Sequence, residues 1–308
     1  MTHKLIILVL FLSTLFTVSL GADEDTDLKE YIEDKLVIAR SYYQQGFAAG
    51  RDPVYFDRAI EEYTNILKTD PWNKEAIVGM ADIYTSRKNY DEAERLYRQS
   101  IKLDPWNVDY HLKLGFHYIA RDLREEALEE ANWVIEYDPE NVRARLLRGI
   151  VYEKTRDPAD AIDEYLYAIR HFEAEGKIAF EIDARLRLGA LYLKEKLIFD
   201  GVEQYEEVVK IEPRFIRGYL ELANVYYRLG RIDKAISTLK LLLRHGERVP
   251  QAHVMLALIY FYSGDYDASF AYFKKAEAFG VSFGGELLET FNKVKRAKEE
   301  SVRAGEQE

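Results

Sequence analysis

The stretch KEAIVGMADIYTSRKNYDEAERLYRQSIKLDPWN, from Lys74 to Asn107, decides the fold of this chain. The following 34 residues, Val108 to Asn141, repeat its landmarks in the same order. Each unit has a small residue, a tyrosine three positions later and a second small residue, and it ends in an Asp-Pro turn. A fixed period of roughly 20 to 50 residues predicts a stack of repeated units rather than one globular core.

The two small positions recur along most of the chain, and a tyrosine always follows the first of them three residues later. The first position is occupied by Ala39, Ala81, Gly115, Gly149, Gly189, Ala223 and Ala257. The second is occupied by Ala59, Ala93, Ala127, Ala161, Gly201, Ala235 and Ser269. Small residues let two helix backbones approach closely, and the tyrosines fill the space between neighbouring helix pairs. The columns therefore predict paired, closely packed helices.

This pattern resembles the tetratricopeptide repeat family, whose unit is a helix-turn-helix of about 34 residues with small, aromatic and proline positions in this order. The resemblance covers residues 32–281 in seven units. It implies an all-α fold, a right-handed superhelical solenoid that ends in a capping helix at 284–300. We expect Asn73, Asn107 and Asn141 to cap the helices that follow them.

Two interruptions break the period, and both ends of the chain depart from it. Extra residues near 45–53 predict an extended loop, which is either a binding element or a tolerated insertion. Extra residues near 171–181 either lengthen two helices or open a short loop. In the last helix, we expect an apolar stripe of Leu287, Leu288, Phe291 and Val294 to face the array. Residues 301–308 are predicted to form a disordered tail.

The N-terminal segment, residues 1–21, has the pattern of a secretory signal peptide. His3 and Lys4 precede an apolar run from Leu5 to Leu20, and small residues follow at a cleavage site. A cleaved signal is favoured over an uncleaved membrane anchor, because the run is short for a membrane span. An acidic leader follows at 22–31. The chain has no cysteine and no Asn-x-Ser/Thr sequon, which favours the bacterial periplasm over a eukaryotic secretory route.

Charge and motif content argue against several classes of function. The net charge of −11 would repel nucleic acid phosphates. We find no glycine-rich phosphate loop, no HExxH metal motif and no Ser/His/Asp grouping, so we predict no catalytic residue, no cofactor and no metal. His111 and His117 are interpreted as structural residues.

Binding is the function that the resemblance implies, since members of the family usually hold partners in the groove lined by their first helices. Positions three before, one after and four after the first small residue share one helix face. In this chain that face is apolar, with basic residues beside it. The predicted peptide-binding residues are Leu112, Phe116, Ile119, Arg143, Leu146, Ile150, Leu186, Leu193, Arg217, Leu220, Asn224, Tyr227, Arg228, Leu258 and Phe261.

The leading hypothesis is a non-enzymatic envelope scaffold that binds an apolar peptide or helix of a protein partner, with acidic flanks. The alternative is an accessory protein of an envelope transporter that binds a small amphiphile. A third interpretation leaves no open groove, because the 286–300 helix or a second copy of the chain covers it. Membrane association is expected only if the N-terminal segment stays uncleaved.

Overall fold

The computed structural model of the chain describes residues 26–155, 158–246 and 248–305. Within these ranges the chain forms fifteen α-helices and no strand. They are α1 (26–48), α2 (Pro53–Thr69), α3 (Lys74–Ser86), α4 (Tyr90–Leu103), α5 (Val108–Ala120), α6 (Arg124–Tyr137), α7 (Val142–Thr155), α8 (Pro158–Ala174), α9 (Ile178–Lys194), α10 (Ile198–Ile211), α11 (Ile216–Arg228), α12 (Ile232–His245), α13 (Pro250–Tyr262), α14 (Tyr266–Ala278) and α15 (Gly285–Gly305). The signal peptide expected at 1–21 lies outside the described residues.

The chain divides into two compact units, one ending at Val151 and the other beginning at Tyr152. We call them unit 1 and unit 2. In unit 1, α3 packs against α4 and α5 against α6. In unit 2, α9 packs against α10, α11 against α12 and α13 against α14. The expected all-α architecture of consecutive helix pairs is therefore confirmed.

The residues at the two small positions lie where the paired helices are in contact. The alanines at both small positions are fully buried, and Gly201 shows why a small side chain is needed. A methyl group added there would approach the Leu193 side chain to 2.8 Å and the Gly189 carbonyl oxygen to 3.0 Å. Such distances are shorter than van der Waals contact, so the two glycines permit the close approach of α9 and α10.

The buried tyrosines also satisfy their hydroxyl groups. Tyr97 is 2% exposed and its hydroxyl donates a hydrogen bond to the Asp82 carboxylate over 2.6 Å. Tyr165 is fully buried and donates to Glu153 over 2.8 Å. A buried hydroxyl without a partner is costly, so each of these tyrosines both fills space and fixes its carboxylate partner.

Side-chain caps begin three of the helices as expected. The amide oxygens of Asn73 and Asn141 each accept a hydrogen bond of 3.0 Å from the backbone N–H three residues later. Asn107 accepts from the backbone N–H of Asp109 over 3.1 Å. Each bond satisfies one of the backbone donors that have no partner within the helix.

In five repeats the turn between the two helices contains one described residue with positive φ, whereas the turn between α1 and α2 contains two, Gly50 (75°) and Arg51 (69°). The position is occupied by Lys88 (62°), Asp122 (61°), Lys196 (65°), Gly230 (69°) and Gly264 (80°), of which the first two lie in unit 1. A residue in this left-handed conformation ends the first helix and lets the chain reverse its direction. Glycine adopts it without steric cost, whereas lysine and aspartate do not.

Both interruptions of the period lengthen helices. Residues 45–48 continue α1 and only 49–52 form a turn, so the extended loop expected at 45–53 is not formed. Phe47 stabilises the extra turn of helix, because its ring packs edge-on against Tyr43 and Phe56. The residues near 171–181 lengthen α8 and α9, which have 17 residues each against 14 in α10.

The last helix, α15, packs against α14 at the end of unit 2. Val294 is fully buried, and Leu287 and Phe291 contact the same apolar cluster, which includes Phe273. Leu288, the fourth residue of the expected stripe, is 41% exposed. Residues 301–305 continue α15, because the sequence has no glycine or proline between Gly285 and Ala304 to end the helix earlier, and the rest of the predicted disordered tail, 306–308, lies outside the described residues.

Candidate functional site

In unit 1, most of the predicted apolar groove residues lie inside the protein. Leu112, Leu146 and Ile150 are 1%, 2% and 2% exposed. Leu112 packs in one cluster with Ala144 and Leu147 of α7. The neighbouring helices therefore cover a face that the helical period had placed in the groove, and these three side chains offer no free surface.

The other predicted residues of unit 1 are partly accessible. Phe116 and Ile119 are half-buried against the cluster that contains Leu112. The Arg143 guanidinium donates to Asp109 over 2.5 Å, and these two residues stand 34 positions apart on successive first helices. Arg143 thus links equivalent positions of two repeats.

Unit 2 brings predicted residues together around open space. A cavity of about 510 Å³ lies between α9 and α11 and is lined by the predicted residues Leu193, Asn224 and Arg228. Ala190, Lys194, Ile198, Tyr205 and Glu221 are among its other lining residues. Aliphatic side chains and polar or charged side chains both line it.

Two smaller cavities adjoin this one on the same face. A cavity of about 270 Å³ shares Ala190, Tyr205 and Glu221 with it and adds the predicted residues Leu186 and Arg217. A cavity of about 200 Å³ shares Asn224 and adds the predicted Tyr227 and Leu258. We call this continuous surface over α9, α11 and α13 the unit 2 groove. Leu220 and Phe261 are partly buried in core clusters and line none of the three cavities.

Charge is distributed unevenly along the unit 2 groove. At one end Arg187 donates to Asp183 over 3.0 Å, and Glu153 accepts the Tyr165 hydroxyl. Burial raises the pKa of Tyr165, so its hydroxyl stays protonated as a donor. Beside the largest cavity, the cations Lys194 and Arg228 are exposed and make no hydrogen bond or ion pair with the described residues.

Several groove residues were not predicted. Tyr205, four residues after the second small residue Gly201, packs in the core cluster of unit 2, and it also lines two cavities. Burial, with the Glu221 carboxylate nearby, raises the pKa of Tyr205 to about 12. Glu221, Met255 and Tyr262 lie outside the positions counted from the small column. Whether these side chains line a cavity depends on how successive helices pack against each other, and the periodicity of a single helix does not predict that packing.

The described part of the chain, residues 26–155, 158–246 and 248–305, shows neither a metal-binding cluster nor a membrane-spanning helix. No three histidine, aspartate or glutamate side chains in these ranges are grouped so that they could hold a metal ion. None of the described helices combines the length and the apolar composition needed to cross a membrane.

Comparison with known proteins gives consistent sequence and structural matches. Sequence profiles described as "Tetratricopeptide repeat" match residues 56–99, 112–175 and 220–280, and a profile described as "TPR repeat" matches residues 81–120. No curated protein matches the chain in sequence.

Solved structures share the fold at low identity. A tetratricopeptide repeat protein from Parabacteroides merdae is 17% identical, with a TM-score of 0.52 over 85% of this chain and 99% of its own. Pseudomonas aeruginosa pilF is also 17% identical, with a TM-score of 0.54 over 74% of this chain and 98% of its own. Repeats of this fold typically serve as scaffolds for protein–protein interaction. With its recurring small and tyrosine columns, its consecutive helix pairs and these matches, the chain belongs to the tetratricopeptide repeat family.

Proposed function

We propose that this protein is a non-enzymatic scaffold of the bacterial cell envelope, and that it binds a peptide segment of a partner protein in the unit 2 groove. The observation that carries the proposal is the continuity of the groove. The largest of its three cavities shares lining residues with each of the other two, so that they form one surface from Leu186 to Leu258. A small molecule would fill one cavity, whereas an extended or helical polypeptide can occupy several in a row.

The lining residues indicate the chemistry of the partner. Leu193, Ile198 and Ala190 give the largest cavity an aliphatic surface that suits one buried apolar side chain. Lys194 and Arg228 beside it have no ion-pair partner among the described residues, so a carboxylate on the ligand would complement them. We therefore propose an apolar anchor residue with acidic neighbours.

The envelope location rests on the sequence pattern of residues 1–21 and on the absence of cysteine. We expect the exported protein to begin near residue 22. N-terminal sequencing of the protein isolated from the periplasmic fraction would test this. Intact N-terminal residues on protein recovered from the membrane would instead support an uncleaved anchor.

Binding is tested with a photo-crosslinking amino acid at Asn224, which is exposed where two of the cavities meet. We expect crosslinking in intact cells to join one specific polypeptide, whose contact segment is then made as a synthetic peptide. Replacing Lys194 and Arg228 together by glutamate should weaken peptide binding by about tenfold or more, because attraction becomes repulsion.

A matched control is available in the pair Lys196 and Arg214, which are exposed and line none of the three cavities. Replacing both by glutamate makes the same change in net charge and should leave peptide affinity unchanged. Equal effects of the two double variants would contradict binding in the groove. An acyl chain or organic anion that co-purifies with the protein in native mass spectrometry, is lost from the Lys194 and Arg228 double variant and is found without a crosslinked polypeptide would favour the amphiphile-binding alternative.

A further inference from the structure

Unit 2 contains another cavity that shares no lining residue with the groove. It has a volume of about 370 Å³ and lies among α12, α13 and α14. Lys240, Arg244 and Lys275 line it together with His253, Tyr272 and Phe279. We call it the α12–α14 pocket. Its size falls in the range of about 300 to 1,000 Å³ that is common for small-molecule sites.

The pocket is unusually positive for a chain whose net charge is −11. None of the described residues that line it is a carboxylate. The sequence of α12 has no acidic residue from Lys234 to His245, and that of α14 has none from Ala268 to Ala276. Arg244 is exposed and makes no ion pair with the described residues. The cations therefore have no acidic neighbour on these two helix segments.

Aromatic rings hold the two lysines in place without neutralising them. The Lys275 ammonium lies 5.2 Å from the centre of the Tyr272 ring, and that of Lys240 lies 5.7 Å from the centre of the Tyr260 ring. These two tyrosine rings stack on each other at 5.6 Å with an angle of 7°. A ring face attracts an ammonium group but does not use up its N–H donors. The Lys240 ammonium also hydrogen-bonds the Tyr260 side chain, so its remaining donors and those of Lys275 stay available to an anion.

The rest of the lining is flat and apolar. His253, which is only 4% exposed, stacks on Phe279 with ring centres 5.3 Å apart. The Tyr272 ring lies 6.0 Å from His253 on the other side. Planar groups gain most from offset stacking on such rings. The pocket thus combines a surface for an aromatic ring with donors for a negative charge.

We propose that the α12–α14 pocket binds a small organic anion that joins an aromatic ring to a carboxylate. The ring lies against Phe279 and Tyr272, and the carboxylate accepts hydrogen bonds from Arg244 and the two lysines. An arginine guanidinium suits this group because it can donate two parallel hydrogen bonds to a carboxylate. This site is independent of the proposed peptide groove.

The first experiment titrates the full chain with 2-naphthoate in a calorimeter. The two comparison probes are 2-naphthalenemethanol, which keeps the ring without the charge, and acetate, which keeps the charge without the ring. We expect 2-naphthoate to bind at least about tenfold more tightly than either, and its affinity to fall as salt is added. Equal affinity for 2-naphthoate and the alcohol would overturn the proposal.

The second experiment assigns binding to the pocket. Lys240→Met and Lys275→Met should each weaken 2-naphthoate binding by about fivefold. Lys274→Met removes the same charge from a neighbouring exposed residue that does not line the pocket, and it should have no effect. Phe279→Ala should weaken 2-naphthoate binding although the charges of the pocket are unchanged. If this variant does not fold, the Lys240 and Lys275 variants, at exposed positions, still test whether binding occurs in the pocket. Equal losses in the Lys274 and Lys275 variants would place binding elsewhere.

Discussion

His117 is a buried histidine whose protonation is coupled to folding. Its side chain is 1% exposed, its Nδ1 atom lies 2.9 Å from the Thr85 hydroxyl, and the Tyr97 ring packs at 5.6 Å. Burial, assisted by the positive charge of Arg121, lowers the pKa of His117 to about 4. The neutral imidazole is therefore the form that the folded protein accepts.

This histidine should make the protein less stable in mild acid. The folded-state pKa lies below the ordinary value of 6.5, so the unfolded chain binds a proton first as the pH falls. Its contribution is complete above pH 6.5 and is lost between there and pH 4. We expect His117 to lower the free energy of unfolding by about 2 kcal/mol between pH 7 and pH 5.

The measurement compares urea unfolding of wild type and His117→Gln at both pH values. Glutamine cannot be protonated, so the variant should lose about 2 kcal/mol less on acidification than the wild type. All other titrating groups are common to the two proteins. Equal losses would show that His117 does not titrate as its burial requires.

At the scale of the elements, the backbone of the turn inside the repeat is strained in some repeats and not in others. Lys88 is exposed and has a φ of 62°, a conformation that costs a residue with a Cβ about 1 kcal/mol or more. Lys88→Gly should therefore raise the free energy of unfolding by up to about 1 kcal/mol, the flexibility gained by the unfolded chain offsetting part of the relief.

Lys102→Gly is the matched control for this substitution. Lys102 is an exposed lysine in the last turn of α4, where glycine should destabilise the helix by about 1 kcal/mol. If the turn is strained, thermal and urea unfolding should show that Lys88→Gly raises the free energy of unfolding and that Lys102→Gly lowers it. A loss of stability in both would contradict the assignment.

The elements were largely predictable because they follow from repeated local chemistry. The small residues, the tyrosines and the asparagine caps recur at a fixed spacing along the chain, so the sequence indicates them directly. The insertion near 45–53 was wrongly predicted as a loop, although Gly50 does lie in the turn. Its helical part depends on Phe47 packing against Phe56 of the next helix, and no local pattern indicates such a contact.

At the scale of the whole molecule, predicted peptide-binding residues line cavities in unit 2, and that they bind a peptide stays a prediction. Asn224 and Leu258 line connected cavities, whereas Ile150 at the corresponding position, one after the first small residue of its repeat, is buried. The helical period assigns a residue to a face but does not say whether the next pair covers that face. That depends on the distance between neighbouring pairs, which side-chain size sets in each repeat.

The end of the array gives a prediction at this scale. Terminal repeats need a cap because each repeat is stabilised by its neighbours. Val294→Asp places a charge where the side chain is fully buried against α14 and should destabilise the C-terminal pairs by about 3 kcal/mol or more. Hydrogen exchange should show faster opening of α13 to α15 than of α9 to α12.

Lys295→Asp introduces the same residue at the next, exposed position of α15. It should leave the exchange of α13 and α14 unchanged. Equal protection of these helices in both variants would mean that α15 does not stabilise the array.

The longer pair α8 and α9 has a practical consequence. Three additional residues in each helix extend the hairpin by about 4.5 Å, nearly one turn, beyond the length of α10. Its tip, from Glu175 to Lys177, is exposed, and Gly176 bends there with a φ of 67°. An epitope or a fluorescent protein inserted at this bend would project into solvent, so the protein could be followed in living cells with its binding surfaces intact.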